Sequence, residues 1–208
     1  GNVPFGDFKL LDKKYNKHNF IIHDYFFAKT LDKVRPGGVI AFITSSGTMD
    51  KRTSKVRRYI AQRADLIGAV RLPNNTFKKN AGTEVTADIL FLQKRESMTD
   101  IMPEWVEVAE HETGQPINKY FLDNPDMVMG ELKEVSGPYG PTLTCEPNED
   151  ISLAEQLDGT IQNIHASITE YEFDDVSNDE EITIPADPNV RNFSFYPPES
   201  LFQCCFRH

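Results

Sequence analysis

The sequence predicts an α/β fold. Three observations carry this. An apolar stripe at helical spacing runs over Asn19–Val34 and stops at Pro36-Gly37-Gly38. A continuous apolar run, Val39-Ile40-Ala41-Phe42-Ile43, follows at once. A second helix, a strand, a polar loop and a third strand then complete the pattern by residue 94.

In the first helix the stripe is Phe20, Ile21, Tyr25, Ala28 and Leu31, close to a period of 3.6. Lys29, Lys33 and Arg35 gather toward its C-terminal end, where cations suit the helix dipole. The Pro-Gly-Gly turn cannot continue a helix. The unbroken apolar run that follows reads as a strand covered on both faces, as in parallel sheets. Thr44-Ser45-Ser46-Gly47 leaves its C-terminal end, where open α/β sheets place ligand loops. Asp50 and Thr53 are the candidate caps of a second helix running to about Arg63. Leu66–Leu72 reads as the second strand, Pro73–Ala87 as a polar and basic loop, and Asp88–Gln93 as the third strand. The last two strands lack a crossover helix, so antiparallel pairing is expected between them.

Beyond Ser97 the pattern is sparser. Met102–Val108 is a strand candidate, and Tyr120–Gly140 reads as mostly turns because of Asn124-Pro125, Gly130 and Ser136-Gly137-Pro138-Tyr139-Gly140. Ser152-Leu-Ala-Glu155 is a capping box. It opens a helix whose Leu153, Leu157, Ile161, Ile164 and Ile168 form an expected packing stripe. Glu170–Glu181 is acidic and poor in large apolar residues, the composition of a linker or disordered segment. Phe193–His208 turns aromatic and cysteine-containing.

The net charge of −10 conceals a division. Residues 1–97 hold 18 Lys and Arg against 9 Asp and Glu, whereas residues 98–208 hold 4 against 23. A module of charge +9 followed by one of −19 suggests an anion-binding region and an acidic extension. An acidic tail of that size could shield the basic half by imitating nucleic acid. No run is long and apolar enough for a membrane span. Cys145, Cys204 and Cys205 make neither a disulfide framework nor a zinc spacing, so reduced thiols, a cytoplasmic setting and no bound metal are expected. His23 lies in the apolar helical pattern and reads as structural.

Asn2-Val3-Pro4-Phe5 is the sharpest feature. An exocyclic amine on a nucleobase is a poor nucleophile, because its lone pair is delocalised into the ring. A side-chain amide oxygen and a neighbouring backbone carbonyl can bind its two hydrogens and localise that pair, an electrostatic preorganisation. An aromatic ring a few residues on can stack on the base once it is flipped out of the duplex. Asn2, the Val3 carbonyl and Phe5 supply these parts.

The motif resembles the Asn/Asp-Pro-Pro-Tyr/Phe/Trp loop of the amino-methyltransferases, with Asn2, Pro4 and Phe5 matching and Val3 standing where proline is usual. Valine keeps the carbonyl but gives up proline's fixed φ. Arg71-Leu-Pro73, Phe77 through Thr83, and Asp88-Ile-Leu-Phe-Leu-Gln-Lys94 resemble the late motif of adenine methylases of the type I and related restriction-modification classes. Together the features cover about residues 1–97. The resemblance implies an N6-adenine DNA methyltransferase of bacterial origin, using S-adenosylmethionine, with Phe77 and Thr83 in the target-base pocket. It implies the C-terminal half of a Rossmann-like sheet. Lys9, Lys13, Lys14 and Lys17, together with Lys51, Arg52, Lys55, Arg57, Arg58 and Arg63, then become candidate phosphate contacts, as do Lys78 and Lys79. Residues 98–170 look more loosely like the continuation in large methylase–helicase proteins of mobile elements, notably Tyr120–Gly130 and Ser136–Cys145.

The expected organisation is a catalytic and target-binding half-domain at 1–97, an extension with strands and turns at 98–150, an amphipathic helix at 151–169 and an acidic tail at 170–208. The donor-binding Gly-rich loop of the family does not occur before Asn2, and Gly37-Gly38 precedes a strand, the wrong order for a cradle. The donor half is therefore expected upstream, and the isolated chain is expected to be inactive, with an exposed sheet edge that favours self-association or partial disorder. Expected partners are DNA and helicase or restriction domains. RNA-base or protein-glutamine methylation uses the same motif, and a non-catalytic nucleic-acid-binding or assembly module is the alternative.

Overall fold

The computed structural model describes residues 1–82, 84–137, 140–148, 150–165 and 168–170. The expected acidic linker Glu170–Glu181, save its first residue, and the aromatic tail Phe193–His208 lie outside them. The chain is mixed α/β, and its described residues form one three-stranded and two two-stranded antiparallel sheets.

The first helix, α1, spans Ile22–Leu31 and is shorter than the stripe suggests. Asn16–His18 forms a 3-10 turn closed by Asn19, which adopts a left-handed conformation at φ 55°. Residues 19–21 therefore cannot join the helix. The carbonyl of Phe8 takes the first free amide, that of Ile22, at 2.8 Å, a partner the end of a helix needs. Strand β1, Val39–Ser45, follows the Pro-Gly-Gly turn.

The expected second helix is broken into α2, Gly47–Asp50, and α3, Lys55–Ala61. Lys51 is extended at the break, and the Arg57 side chain donates to the carbonyls left open there, Thr48 O at 3.2 Å and Lys51 O at 2.8 Å. Neither expected cap holds: α3 starts after Ser54, and Asp50 instead accepts from Asn118 N at 2.9 Å and pairs with Arg71 at 2.8 Å.

Strand β2 is Ala64–Leu72, the loop after it contains a single helical turn, α4, Lys78–Ala81, and β3 is Ala87–Lys94. The sheet order is β1-β3-β2, with β3 antiparallel to both neighbours. The expected antiparallel pairing of β2 and β3 is observed. The expected double-sided burial of β1 is not: Ile40 and Thr44 are buried, but Val39 and Ala41 are exposed. Its apolar run reflects partial cover of the second face, not a parallel sheet. The buried face carries Ile40, Leu90, Leu92 and Ala69 into one core with Phe27, Leu31, Val56 and Ile60 of α1 and α3.

The extension differs most from expectation. The region of the strand candidate Met102–Val108 holds a 3-10 turn, Glu104–Val106, whose Trp105 and Val106 are buried. Short strands β4, Val108–Glu110, and β5, Pro116–Asn118, pair with each other. The stretch expected to be turns contains α5, Lys119–Asp123, and the hairpin β6, Glu131–Gly137, with β7, Gly140–Glu146. Ser136, Gly137 and Gly140 lie within the strands themselves, while Asn124-Pro125 leads from α5 into a 3-10 turn. The edge of β2 is met by this segment, with Met129 N donating to Arg71 O at 2.9 Å. Helix α6, Leu153–Gln162, opens on the predicted capping box. Its stripe packs only in part: Leu157 and Ile164 touch the core, whereas Leu153, Ile161 and Ile168 are exposed. An added Cβ on Gly68 would lie 3.0 Å from Ile164 Cγ2, so the glycine lets Ile164 pack closely on β2. Among the described residues no helix is long and apolar enough to cross a membrane.

Candidate functional site

The Asn2–Phe5 loop is built onto the outer edge of β1. The Gly1 amine donates to Ala41 O at 2.6 Å, Ile43 N donates to Gly1 O at 2.9 Å, and Val3 N donates to Ile43 O at 3.0 Å. These bonds make a short parallel ladder centred on Asn2 and Ile43. Val3 is buried, while Asn2, Pro4 and Phe5 are exposed. Proline at position 3 has no N–H and could not make the bond to Ile43. The loss of a fixed φ is thus offset by a ladder bond and a buried side chain. Among the described residues nothing donates to the Asn2 side chain or to the Val3 carbonyl, so both acceptors of the motif remain open.

The loop leaves at the C-terminal end of β1. At that end Ser45 pairs with Ala87, and Ala87 pairs with Leu72 on its other side. Residues 73–86 therefore link β2 to β3 at the same end of the sheet, two to three strand spacings from the loop, roughly 10–14 Å. Ser46 N donates to Thr86 O at 3.2 Å, and Thr44 and Thr48 share a buried hydroxyl contact at 2.8 Å. Phe77 is half-buried against the core at the start of α4. Thr83 lies outside the described residues. The loop is stitched to β7, since Cys145 N donates to Thr86 Oγ1 at 3.0 Å and Asn74 N to Cys145 O at 2.8 Å. Burial there pushes the Cys145 thiol up to about 12.

The candidate phosphate-binding residues separate into two sets. Lys9, Lys13 and Lys17 are exposed and have no acidic partner among the described residues; Lys14 pairs with Asp32 at 2.7 Å. Lys51 is committed to the buried Asp24 at 2.6 Å, Lys55 donates to His18 O at 2.5 Å, and Arg58 pairs with Glu107 at 3.0 Å. Arg52 reaches Glu110 only at 4.0 Å. Arg57 is wholly buried and also holds Val106 O at 2.7 Å, so it is a structural residue and not a phosphate contact. Lys78 pairs with Glu84 at 2.6 Å, and Lys79 is exposed.

Sequence reasoning missed the residues that hold this arrangement. Asp12 accepts from Tyr25 Oη at 3.0 Å, Lys29 Nζ at 2.8 Å and Lys14 N at 3.0 Å, which fixes the segment after the loop; the Lys29 bond leads in holding its carboxyl below the usual range. Asn118, wholly buried, donates to Met49 O at 2.9 Å and Trp105 O at 2.8 Å, tying α2 to the extension. A lone Asp or Asn carries no periodicity, so no pattern exposes such roles. His23 is buried as expected, and burial lowers its pKa.

The one Gly-Gly turn has its first amide committed, Gly37 N to Lys94 O at 2.8 Å. A Cβ on Gly38 would lie 2.5 Å from Val34 Cγ1, so that glycine serves close packing of the helix end.

Residues 7–119 match the family model described as N-6 DNA Methylase. A curated relative is the "Defense against restriction protein B" of Escherichia phage P1, 28% identical over 167 residues, which covers 78% of this chain but only 7% of that protein. A solved chain from work on complex assembly and conformational transition of the type I R-M system aligns with a TM-score of 0.38 and 21% identity, over 60% of this chain and 28% of its own length.

Proposed function

This chain belongs to the N-6 DNA methylase family, and on that premise we propose that it is the catalytic and target-binding part of a larger DNA methyltransferase acting on the N6 amine of adenine. One observation carries the reading. The motif residue that departs from the family, Val3, is the buried one bonded to Ile43, while Asn2, Pro4 and Phe5 are presented outward at the end of the sheet. In this reading Asn2 Oδ1 and the Val3 carbonyl accept the two amine hydrogens, and Phe5 stacks on the flipped base. The proton lost by the nitrogen after transfer leaves to solvent or to these acceptors. Phe77, from the loop leaving the same sheet end, closes the other side of the base, and Thr83, outside the described residues, is the second residue proposed for that pocket.

S-adenosylmethionine, which the family generally uses, supplies the methyl group. Its binding belongs to parts of the polypeptide outside these residues, in keeping with a chain that spans 7% of its curated relative. The β1-β3-β2 sheet, with a parallel ladder entering at β1, fits the distal half of a Rossmann-like methyltransferase sheet. DNA and restriction-modification subunits or helicase domains are the proposed partners, with residues 98–150 as the connection to them.

The test is methyl transfer from labelled donor to adenine-containing DNA by a protein extended upstream by about one domain, roughly 150 residues. Asn2→Ala should abolish labelling, and Val3→Ala should retain most of it, because the backbone carbonyl remains. Labelling that is absent, or that is indifferent to Asn2→Ala, overturns the reading.

A further inference from the structure

A cavity of about 260 Å³ opens immediately after the catalytic loop. Leu10, Leu11, Tyr15 and Phe20 give it apolar and aromatic walls, and Asn16 and Asn19 supply amides. Lys9 and Tyr25 also border it, and no carboxylate does. Its size is below that of sites for drug-sized molecules, which begin near roughly 300 Å³, and suits one planar ring system.

The amides are available. Asn16 Oδ1 accepts from Asp12 N at 2.9 Å, which leaves its Nδ2 without a partner among the described residues. The Asn19 amide makes no hydrogen bond at all among them. Asn19 is also the one non-glycine described residue with positive φ, 55°. Asparagine visits that region routinely, and here it closes the 3-10 turn at the rim of the cavity.

The wall is presented rigidly. Leu11 is 96% exposed, yet its neighbour Asp12 is fixed by Tyr25, Lys29 and Lys14, and Phe8 O is fixed by Ile22 N. An apolar side chain this exposed on an anchored backbone is suited to entering a base stack, as apolar wedges do. Charge points to the same partner. Asp12 and Lys14 are neutralised by Lys29 and Asp32, which leaves Lys9, Lys13 and Lys17 against Asp7 in the segment 7–17.

We propose that this cavity is a second base-binding subsite, which takes an unstacked purine of the DNA beside the target adenine. This rests on the reading that the ligand is DNA. Leu11 enters the stack, Tyr15 and Phe20 provide aromatic surface, and the Asn19 amide meets a purine edge, a pairing that asparagine makes with adenine N6 and N7. Lys9 lies beside it for the adjoining phosphate.

The experiment measures binding of this chain to a fully paired duplex and to the same duplex with one bulged 2-aminopurine, by anisotropy and by the probe's own fluorescence. Base–aromatic stacking leads us to expect the bulged duplex to bind about tenfold tighter. Asn19→Gly keeps the left-handed backbone and removes only the amide; Leu11→Ala removes only the wedge. Each should erase most of the preference and leave the paired duplex unchanged, whereas Lys9→Gln should weaken both.

A preference that survives Asn19→Gly and Leu11→Ala, or its absence in the parent chain, overturns the proposal. Tyrosine-fluorescence saturation by free deoxyadenosine below the millimolar range would reassign the cavity to a free nucleoside and overturn it as well. Sedimentation altered by Leu11→Ala, with no change in DNA binding, would give the wedge to a protein contact. Failure of Asn2→Ala to affect methyl transfer overturns the proposed function without touching this subsite.

Discussion

Two stretches of this chain are equally basic as sequence and opposite as structure. Lys9–Lys17 and Lys51–Arg63 both look like phosphate-binding surfaces. In the first, three of four lysines lack an acidic partner among the described residues. In the second, each cation is engaged: Lys51 by Asp24, Lys55 by His18 O, Arg57 by three carbonyls, Arg58 by Glu107, and Arg63 over the Tyr59 ring at 3.7 Å, with Arg52 near Glu110. A run of charge in a sequence therefore says little until its counter-charges are placed. A buried guanidinium that satisfies carbonyls is folding chemistry, and a lysine without a counter-charge after the Asn2–Phe5 loop is left for the proposed DNA contact.

The contrast can be broken at its strongest point by Arg57→Met. It would strip three carbonyls of their donor, and at about 1–3 kcal/mol for each unsatisfied buried group the loss should reach roughly 3–5 kcal/mol. Thermal or denaturant unfolding measures it. A variant as stable as the parent would remove the distinction between the two runs.

Lys51→Met should cost less, about 2 kcal/mol, by leaving the Asp24 carboxylate buried without its cation. Double substitution with Asp24→Asn should recover part of that loss. If the pair does not couple, Lys51 is a surface lysine after all.

Val3→Pro sharpens the reading of the loop. It removes one ladder bond and should lower stability by about 1 kcal/mol. In the extended protein, methyl transfer should survive in proportion to the folded fraction, since the carbonyl is kept.

Lys9→Gln, Lys13→Gln and Lys17→Gln together should leave stability within about 0.5 kcal/mol of the parent, as surface changes usually do. The slope of log affinity against log salt for duplex DNA should become shallower by about 0.9 for each phosphate that the lysines no longer neutralise. A stability change with no change in slope would assign these lysines to the fold.

The smallest effect concerns pH. Burial, opposed by Asp24 and aided by Lys51, with Asp7 also acting on the ring, holds the His23 pKa below its ordinary value. The folded state thus binds this proton less readily than the unfolded chain does. Its contribution is fully present above the ordinary histidine range and is lost as pH falls through it. Melting followed from neutral to mildly acidic pH should show the decline, and His23→Gln should flatten it.

Much of the sheet was legible because it rests on local rules. The turn at Pro36-Gly37-Gly38, the antiparallel pairing of β2 and β3 and the Ser152–Glu155 capping box depend on chain connectivity, φ preference and short-range hydrogen bonds. The motif Asn2-Val3-Pro4-Phe5 could be proposed from the sequence because the chemistry it suggests resides in residue types. The single face of β1, the break between α2 and α3 and the β6–β7 hairpin were not, since each depends on partners far along the chain.

By itself the sequence determined which groups are available: an amide, a carbonyl and a ring in one loop, lysines after it, and an α/β succession to carry them. Only the tertiary structure decided their state. It made Val3 the anchor of the loop and left Asn2 and Phe5 outward, because the β1 edge offers one ladder and one buried position. It also separated free cations from committed ones, because an ion pair is fixed by distance in space and not by spacing in the chain.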